Sequence, residues 1–147
     1  MSGKILIGSD HGGFPLKEYI IRQLESEGYE YKDYGCYDEK SVDYPDIIHP
    51  LAAAVNKDDT AIGIIMCGSG NGVAMVANKY PNVRAALCWD AAQTALTRQH
   101  NNANILSLPG RFIDFAQAWD MVKIFMSTDF EGGRHQKRVD KIGKTLG

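Results

Sequence analysis

Short apolar runs alternate with stretches of helical periodicity along the whole chain. Lys4 to Gly8 is apolar and stops at a glycine, which predicts a buried strand. Pro15 suits the first turn of a helix, and Leu16, Tyr19, Ile20 and Leu24 then recur at helical spacing until Gly28 closes it. Tyr29 to Tyr34 alternates with polar residues and predicts a second strand. Asp46 to Val55 predicts a second helix, entered through Tyr44-Pro45. Ala61 to Met66 is the most strand-like run. It ends in Cys67-Gly68-Ser69-Gly70-Asn71-Gly72, after which Val73 to Lys79 reads as helical. Arg84 to Cys88 predicts a fourth strand, Ala91 to Gln99 a helix, and Asn104 to Leu108 a fifth strand. Asp114 stands where it can cap a helix carrying Phe115, Trp119, Val122 and Phe125, and the tail from Arg134 predicts a last helix. Strands alternating with helices imply an α/β fold, with a five-stranded parallel sheet covered on both faces and a C-terminal helix.

Length and composition narrow this picture. A chain of 147 residues has room for one domain and buries a core without staples. With 44% hydrophobic and 23% charged residues it falls in the ordinary globular class. A net charge of −2 argues against a general nucleic-acid binder. Cys36, Cys67 and Cys88 are odd in number and widely spaced, which fits neither a disulfide framework nor a zinc knuckle and favours a reducing compartment. No run approaches the ~18 apolar residues of a membrane span. Met1-Ser2-Gly3-Lys4 lacks the features of a signal peptide, so a cytoplasmic location is expected. The charge is uneven: residues 134–147 carry five basic residues and one acid, the remainder 11 basic and 17 acidic. Such a tail suits either an anionic partner or a solvated helix.

In a parallel sheet, ligands bind at the carboxyl ends of the strands, where strand order reverses. The polar loops are Ser9-Asp10-His11-Gly12-Gly13, Cys67 to Gly72, Arg98-Gln99-His100-Asn101-Asn102 after the fourth helix, and Pro109-Gly110-Arg111. They are expected to gather on one edge. Glycines in the Gly68-to-Gly72 loop permit close backbone approach, and the helix that follows aims amides at the same spot, which suits a phosphate or a developing oxyanion. The spacing is neither a dinucleotide fingerprint nor a P-loop, and a plain tight turn is the simpler alternative. A thiol placed like Cys67 can serve as base or nucleophile, or be a buried structural residue. Cys36 and Cys88 read as structural.

No two of His11, His49, His100 and His135 are three or four apart, and neither His-x-x-Glu nor Glu-x-x-His occurs, so no metal is expected. His49 reads as a packing residue, whereas His11 and His100 fall in loops at the proposed site. If the tail is helical, Arg134 and Arg138 share a face, and a dianionic phosphate is their natural partner.

Five segments in order carry a resemblance: Ser9-Asp10-His11-Gly12-Gly13-Phe14, Asp43-Tyr44-Pro45-Asp46, Cys67-Gly68-Ser69-Gly70-Asn71-Gly72, Arg98-Gln99-His100-Asn101, and Glu131-Gly132-Gly133-Arg134-His135-Gln136-Lys137-Arg138-Val139. Together they resemble the type B ribose-5-phosphate isomerases, a family that also holds galactose-6-phosphate isomerase subunits, over about residues 4 to 142. The resemblance implies a Rossmann-like three-layer fold and an aldose–ketose isomerase that needs no metal or other cofactor. It further implies a homodimer with shared active sites, two of which could associate as a tetramer. Cys67 then corresponds to the base, and Ser69 to its helper at the sugar oxygens. The amides of Gly68, Gly70, Asn71 and Gly72 would cradle the enediolate. His100 would open the ring, with Asp10 and Tyr44 near the sugar, and Asn101 would bind hydroxyls. His11, Arg111, Arg134 and Arg138 correspond to phosphate ligands. His100, Asn101 and Arg111 are expected from the partner subunit. Some members carry a carboxylate just after the glycine loop; here Val73 stands there, which leaves Cys67 without a rival. Pro109 stands where members usually carry a small residue.

The expected reaction interconverts ribose 5-phosphate and ribulose 5-phosphate. The C2 proton becomes acidic only when the neighbouring oxygen is stabilised as an oxyanion. A hexose 6-phosphate substrate and a non-catalytic phosphate- or nucleotide-binding module are the alternatives.

Overall fold

A computed structural model describes residues 3–145. The expectations that touch Met1 and Ser2, and the last residues of the basic tail, Leu146 and Gly147, lie outside the described residues. The strands are β1 (Ile5–Ser9), β2 (Tyr31–Asp33), β3 (Ile62–Cys67), β4 (Ala85–Leu87) and β5 (Ile105–Pro109). The helices are α1 (Phe14–Ser26), α2 (Tyr44–Lys57), α3 (Asn71–Ala77), α4 (Ala91–Asn101), α5 (Phe115–Ser127) and α6 (Gln136–Ile142), the last preceded by a 3₁₀ turn, Gly133–His135.

All strand pairs are parallel and the order is β2-β1-β3-β5-β4. Successive side chains of a strand face opposite ways. Ile5 and Ile7 therefore join Ile62, Ile64, Met66, Leu106 and Leu108 on one face, under Leu16, Ile20 and Leu24 of α1 and Trp119, Val122 and Phe125 of α5. Leu6, Ile65 and Ile105 face the other way, onto Ile48, Leu51 and Val55 of α2 and Val73 and Ala77 of α3. These are the three layers that the alternation of strands and helices predicts. Among the described residues, no helix is long and apolar enough to cross a membrane.

Several boundaries move for local reasons. The second strand keeps only Tyr31–Asp33, because the Tyr29 amide donates to the Leu24 carbonyl and belongs to the exit of α1. Tyr44 and Pro45 lie inside α2, where a first-turn proline lacks only an N–H that has no helical partner. Asp114 flanks α5 without a side-chain cap bond, whereas Asp90 accepts from the Gln93 amide and caps α4. Helix α4 continues through His100 and Asn101 and ends only at Asn102, whose φ of 48° is left-handed.

Parallel topology fixes two edges. Loops that leave strands lie at the carboxyl edge, and segments that enter strands lie at the amino edge. The connection from β1 to β2 runs one way along the sheet and that from β2 to β3 returns past it, so the crevice between β1 and β3 is the switch point. The ends of these two strands carry Ser9-Asp10-His11 and Cys67-Gly68-Ser69.

Candidate active site

The first set of polar residues sits at that crevice. Cys67, the last residue of β3, is 6% exposed, and the Gly70 amide donates to its Sγ at 3.1 Å. The turn depends on Gly70, whose φ is 78°; a Cβ at that residue would stand 2.6 Å from Leu87 Cδ1 and 3.1 Å from the Leu108 carbonyl oxygen. The buried Ser107 hydroxyl donates to the Gly70 carbonyl at 2.7 Å and holds it from below. The Ser69 hydroxyl accepts from the Asn71 amide at 3.2 Å. Helix α3 has seven residues, so what this turn can offer an anion is its loop amides more than an extended helix dipole.

The neighbouring loops close around this turn. The Gly110 amide donates to the Cys67 carbonyl at 2.8 Å and the Arg111 amide to the Gly68 carbonyl at 3.0 Å, so β5 continues the ladder past Pro109 and lays Arg111 along the glycine loop. Asp10 is nearly buried and its Oδ1 accepts from the Gly13 amide at 3.0 Å. His11 Nδ1 accepts from the Val42 amide at 3.2 Å, which leaves the proton of the neutral ring on Nε2. Tyr44 crosses Gly72 so closely that a Cβ there would lie 2.7 Å from its ring. Asp10, Tyr44, Cys67, Ser69, Gly72 and Arg111 line an open cleft of about 450 Å³.

The other two cysteines have a different setting. Burial pushes the thiol of Cys88 up to about 11 and raises that of Cys36 as well. Both remain protonated at neutral pH, which suits structural residues.

The second set lies at the amino edge. His100 occupies the last turn of α4, just before the segment that enters β5. Its ring stacks on His135, with centroids 4.4 Å apart and planes 14° apart. Glu131 Oε1 lies 3.9 Å from His100 Nε2 and 3.5 Å from His135 Nε2. Arg98, 4% exposed, fastens this turn: it donates to the carbonyls of Thr128 (3.0 Å) and Ala103 (2.6 Å) and to Asn102 Oδ1 (3.0 Å). The Glu131 amide donates to the Gln99 carbonyl at 3.0 Å. Arg134 belongs to the 3₁₀ turn and Arg138 to α6, so the pair spans a junction and does not share a single α-helix.

Three expectations are corrected here. His100 and Asn101 do not join the carboxyl-edge loops, because they end a helix that leads into a strand. Strands rise about 3.3 Å per residue, so a strand as long as β3 sets the two edges roughly 15–20 Å apart. Asn101 lines a different cleft of about 710 Å³, between β4 and the C-terminal segment. Arg111, expected from the partner with His100, stands beside Gly12 and Gly68 of its own chain. Among the residues expected to bind phosphate, His11 and Arg111 are at the carboxyl edge, and Arg134 and Arg138 are at the other.

Sequence reasoning passed over Lys17, which is fully buried with its Nζ 2.7 Å from Asp33 Oδ2. Asp33 in turn accepts from the Gly35 amide at 2.9 Å, and Gly35 and Cys36 pair with the backbone of Ser9. Lys17 thereby anchors the segment that follows β2 against Ser9, the residue before Asp10. Its signal was a lysine three, four and seven residues before Ile20, Ile21 and Leu24, on the core face of α1.

Comparison with known proteins adds an independent line. Residues 5–142 match the family described as Ribose/Galactose Isomerase. A probable ribose-5-phosphate isomerase B of Mycoplasma genitalium is 44% identical over 144 residues, covering 97% of this chain and 95% of the relative. The ribose-5-phosphate isomerase B of Escherichia coli is 37% identical, covering 95% and 93%. A crystal structure of a ribose 5-phosphate isomerase from Thermotoga maritima superposes with a TM-score of 0.95 at 44% identity, over 99% of this chain and all of the other. The Mycoplasma genitalium enzyme with bound ribulose-5-phosphate superposes with a TM-score of 0.91, covering 97% and 95%.

Proposed function

The chain belongs to the ribose/galactose isomerase family, and from that premise we propose that it interconverts ribose 5-phosphate and ribulose 5-phosphate in the cytoplasmic pentose phosphate pathway. The observation that carries the reading is the Cys67 sulfur, held by the Gly70 amide in a cleft with Asp10, Tyr44, Ser69 and Arg111.

An aldose phosphate must open its ring, lose the C2 proton and regain one at C1. Cys67 takes the C2 proton as thiolate and returns it to C1 as thiol, while Ser69 assists transfer between the sugar oxygens. The amides of Gly68, Gly70, Asn71 and Gly72 stabilise the enediolate; loss of one such donor removes about 3–4 kcal/mol of transition-state stabilisation. The phosphate does no chemistry, but its binding holds C2 near the base. His11 and Arg111 bind it from the chain that supplies Cys67.

His100 opens the ring, Asn101 holds hydroxyls, and Arg134 and Arg138 complete the phosphate site. The distance between the two edges supports assigning these four to a partner's cleft and not to their own. A homodimer with two shared sites satisfies this requirement, and a symmetric dimer supplies both sites at once.

The reaction needs no metal, so chelation leaves turnover unchanged. A coupled assay with ribose, allose and galactose phosphates side by side tests the substrate. Turnover of ribose 5-phosphate that disappears in Cys67→Ala is expected. A strong hexose preference assigns the cleft to a hexose 6-phosphate. Binding of ATP or NAD, with no isomerisation of any of the three, reduces the chain to a binding module and overturns the proposal.

A further inference from the structure

The group formed by His100, Glu131 and His135 has a geometry that ring opening does not require. One ligand atom from each residue lies within 4.8 Å of those of the other two. The two imidazoles are stacked, so both Nε2 atoms reach the same carboxylate oxygen from the same side. Their distances to it, 3.9 and 3.5 Å, exceed the 2.7–3.2 Å of a good N–H···O bond. The carboxylate is therefore near both rings without being bonded to either.

Those distances do suit an ion between the three groups. With metal–ligand bonds of about 2.0–2.1 Å in tetrahedral geometry, ligand atoms stand about 3.3 Å from one another. The two N–O separations, 3.9 and 3.5 Å, approach that value from above, no pair of ligand atoms exceeds 4.8 Å, and side-chain rotations close the difference. His100 and Glu131 are free to make such rotations, with side chains 39% and 52% exposed, while His135 at 12% is the fixed member. Two imidazoles and a carboxylate are a borderline donor set, which selects ions of the zinc class over magnesium or calcium. Three protein ligands leave a position for water. The group has no ligand motif along the sequence, because Glu131 and His135 are four apart with the acid first and His100 comes from a distant helix.

We propose that His100, Glu131 and His135 form a binding site for a zinc-class divalent ion. Resting on the function proposed above, the ion inhibits: it takes the His100 Nε2 lone pair and withdraws that ring from proton transfer at the sugar. The site thus lies within the amino-edge set, and metal opposes turnover there.

Cobalt(II) reports the site without any assay of activity. The purified full chain at pH 7.5, where imidazoles are largely neutral, is titrated with Co²⁺ and its visible absorption followed. One Co²⁺ per chain with the intense bands of four-coordinate cobalt is expected, displaced by Zn²⁺. Even residues that only support metal ligands change affinity by about 10–100-fold, so Glu131→Gln and His135→Gln should each weaken binding by at least that much. Cys67→Ser should leave the bands in place. Bands that are absent, or unchanged in both Glu131→Gln and His135→Gln, overturn the site. A parallel arm measures turnover with Zn²⁺ added and then chelated. Reversible inhibition in the wild type that is lost in Glu131→Gln supports the proposal in full. Binding without inhibition upholds the site and contradicts the role given to His100.

Discussion

The carboxyl-edge cleft and the amino-edge histidine group are built by different means. The cleft is made largely from backbone: the Gly70 amide on sulfur, the Gly110 and Arg111 amides extending the β3–β5 ladder, and Asp10 bound to the Gly13 amide. Main-chain groups anchored to a buried parallel sheet move little, which suits atoms that must meet a developing oxyanion. The histidine group is made from side chains of two separate segments, His100 and Glu131 part-exposed and His135 largely covered, spaced beyond hydrogen-bond range, with the buried Arg98 as its fastening. Such a group adjusts to what it binds. Each lacks what the other has. The cleft holds the candidate base, and the amino edge holds the two tail arginines and the candidate acid for ring opening.

The largest effect that sharpens this contrast is expected at Cys67. Cys67→Ala should lower kcat by about 10³-fold or more, within the range of lost general-base catalysis, with KM little changed. Steady-state kinetics decide it, and a near-normal kcat would remove Cys67 from the chemistry. Gly70→Ala attacks the same cleft through its backbone. A left-handed φ in a residue with a Cβ costs roughly 1–2 kcal/mol, and the collision with Leu87 shifts the amide that donates to sulfur. A fall in kcat of about 10²-fold, the scale of one lost oxyanion donor, together with a lower Tm, is expected.

Arg138→Ala tests the other region and should show the opposite signature. Loss of a charge-assisted bond to phosphate, roughly 1.5–3 kcal/mol, raises KM by about tenfold or more while kcat changes little. A kcat loss as deep as that of Cys67→Ala, at unchanged KM, would dissolve the distinction between the regions.

The smallest effect concerns Cys88, a core residue outside the chemistry of either region. Its thiol has an ordinary value of 9.0 and is held at about 11 in the fold by burial. Between these values the folded chain keeps a proton that the unfolded chain has released, so stability falls as pH rises. The contribution is complete below pH 9 and is lost on the way to 11. Denaturant titrations across that window should show a shallower decline in Cys88→Ala than in the wild type.

Much of this architecture is legible in the sequence. Apolar runs such as Ala61 to Met66 can only be buried strands when helical stretches flank them, and the glycine loop announces its own turn. The contents of the cleft follow, because residues that leave strands share an edge. The placement of His100 and Asn101 was misread for a physical reason. Polarity groups them with the other loops, but the last turn of α4 leads into β5, and a segment that enters a parallel strand lies at the opposite edge. The boundary turns on Asn102, whose left-handed conformation ends the helix where no glycine marks it. Lys17 escaped notice because a buried lysine is visible only with its partner, and Asp33 belongs to a strand that packing trims to three residues. The stack of His100 on His135 joins two helices and has no local signature.

Complementation of two inactive chains tests the central claim, that a complete site joins the carboxyl edge of one chain to the amino edge of its partner. Cys67→Ala and His100→Asn chains are refolded together and assayed with ribose 5-phosphate. A mixed symmetric dimer has one site carrying both lesions and one carrying none, so random pairing should restore about a quarter of wild-type activity from two inactive parents. No recovery, in a mixture shown to contain mixed dimers, would contradict the shared site and return all of the chemistry to a single chain.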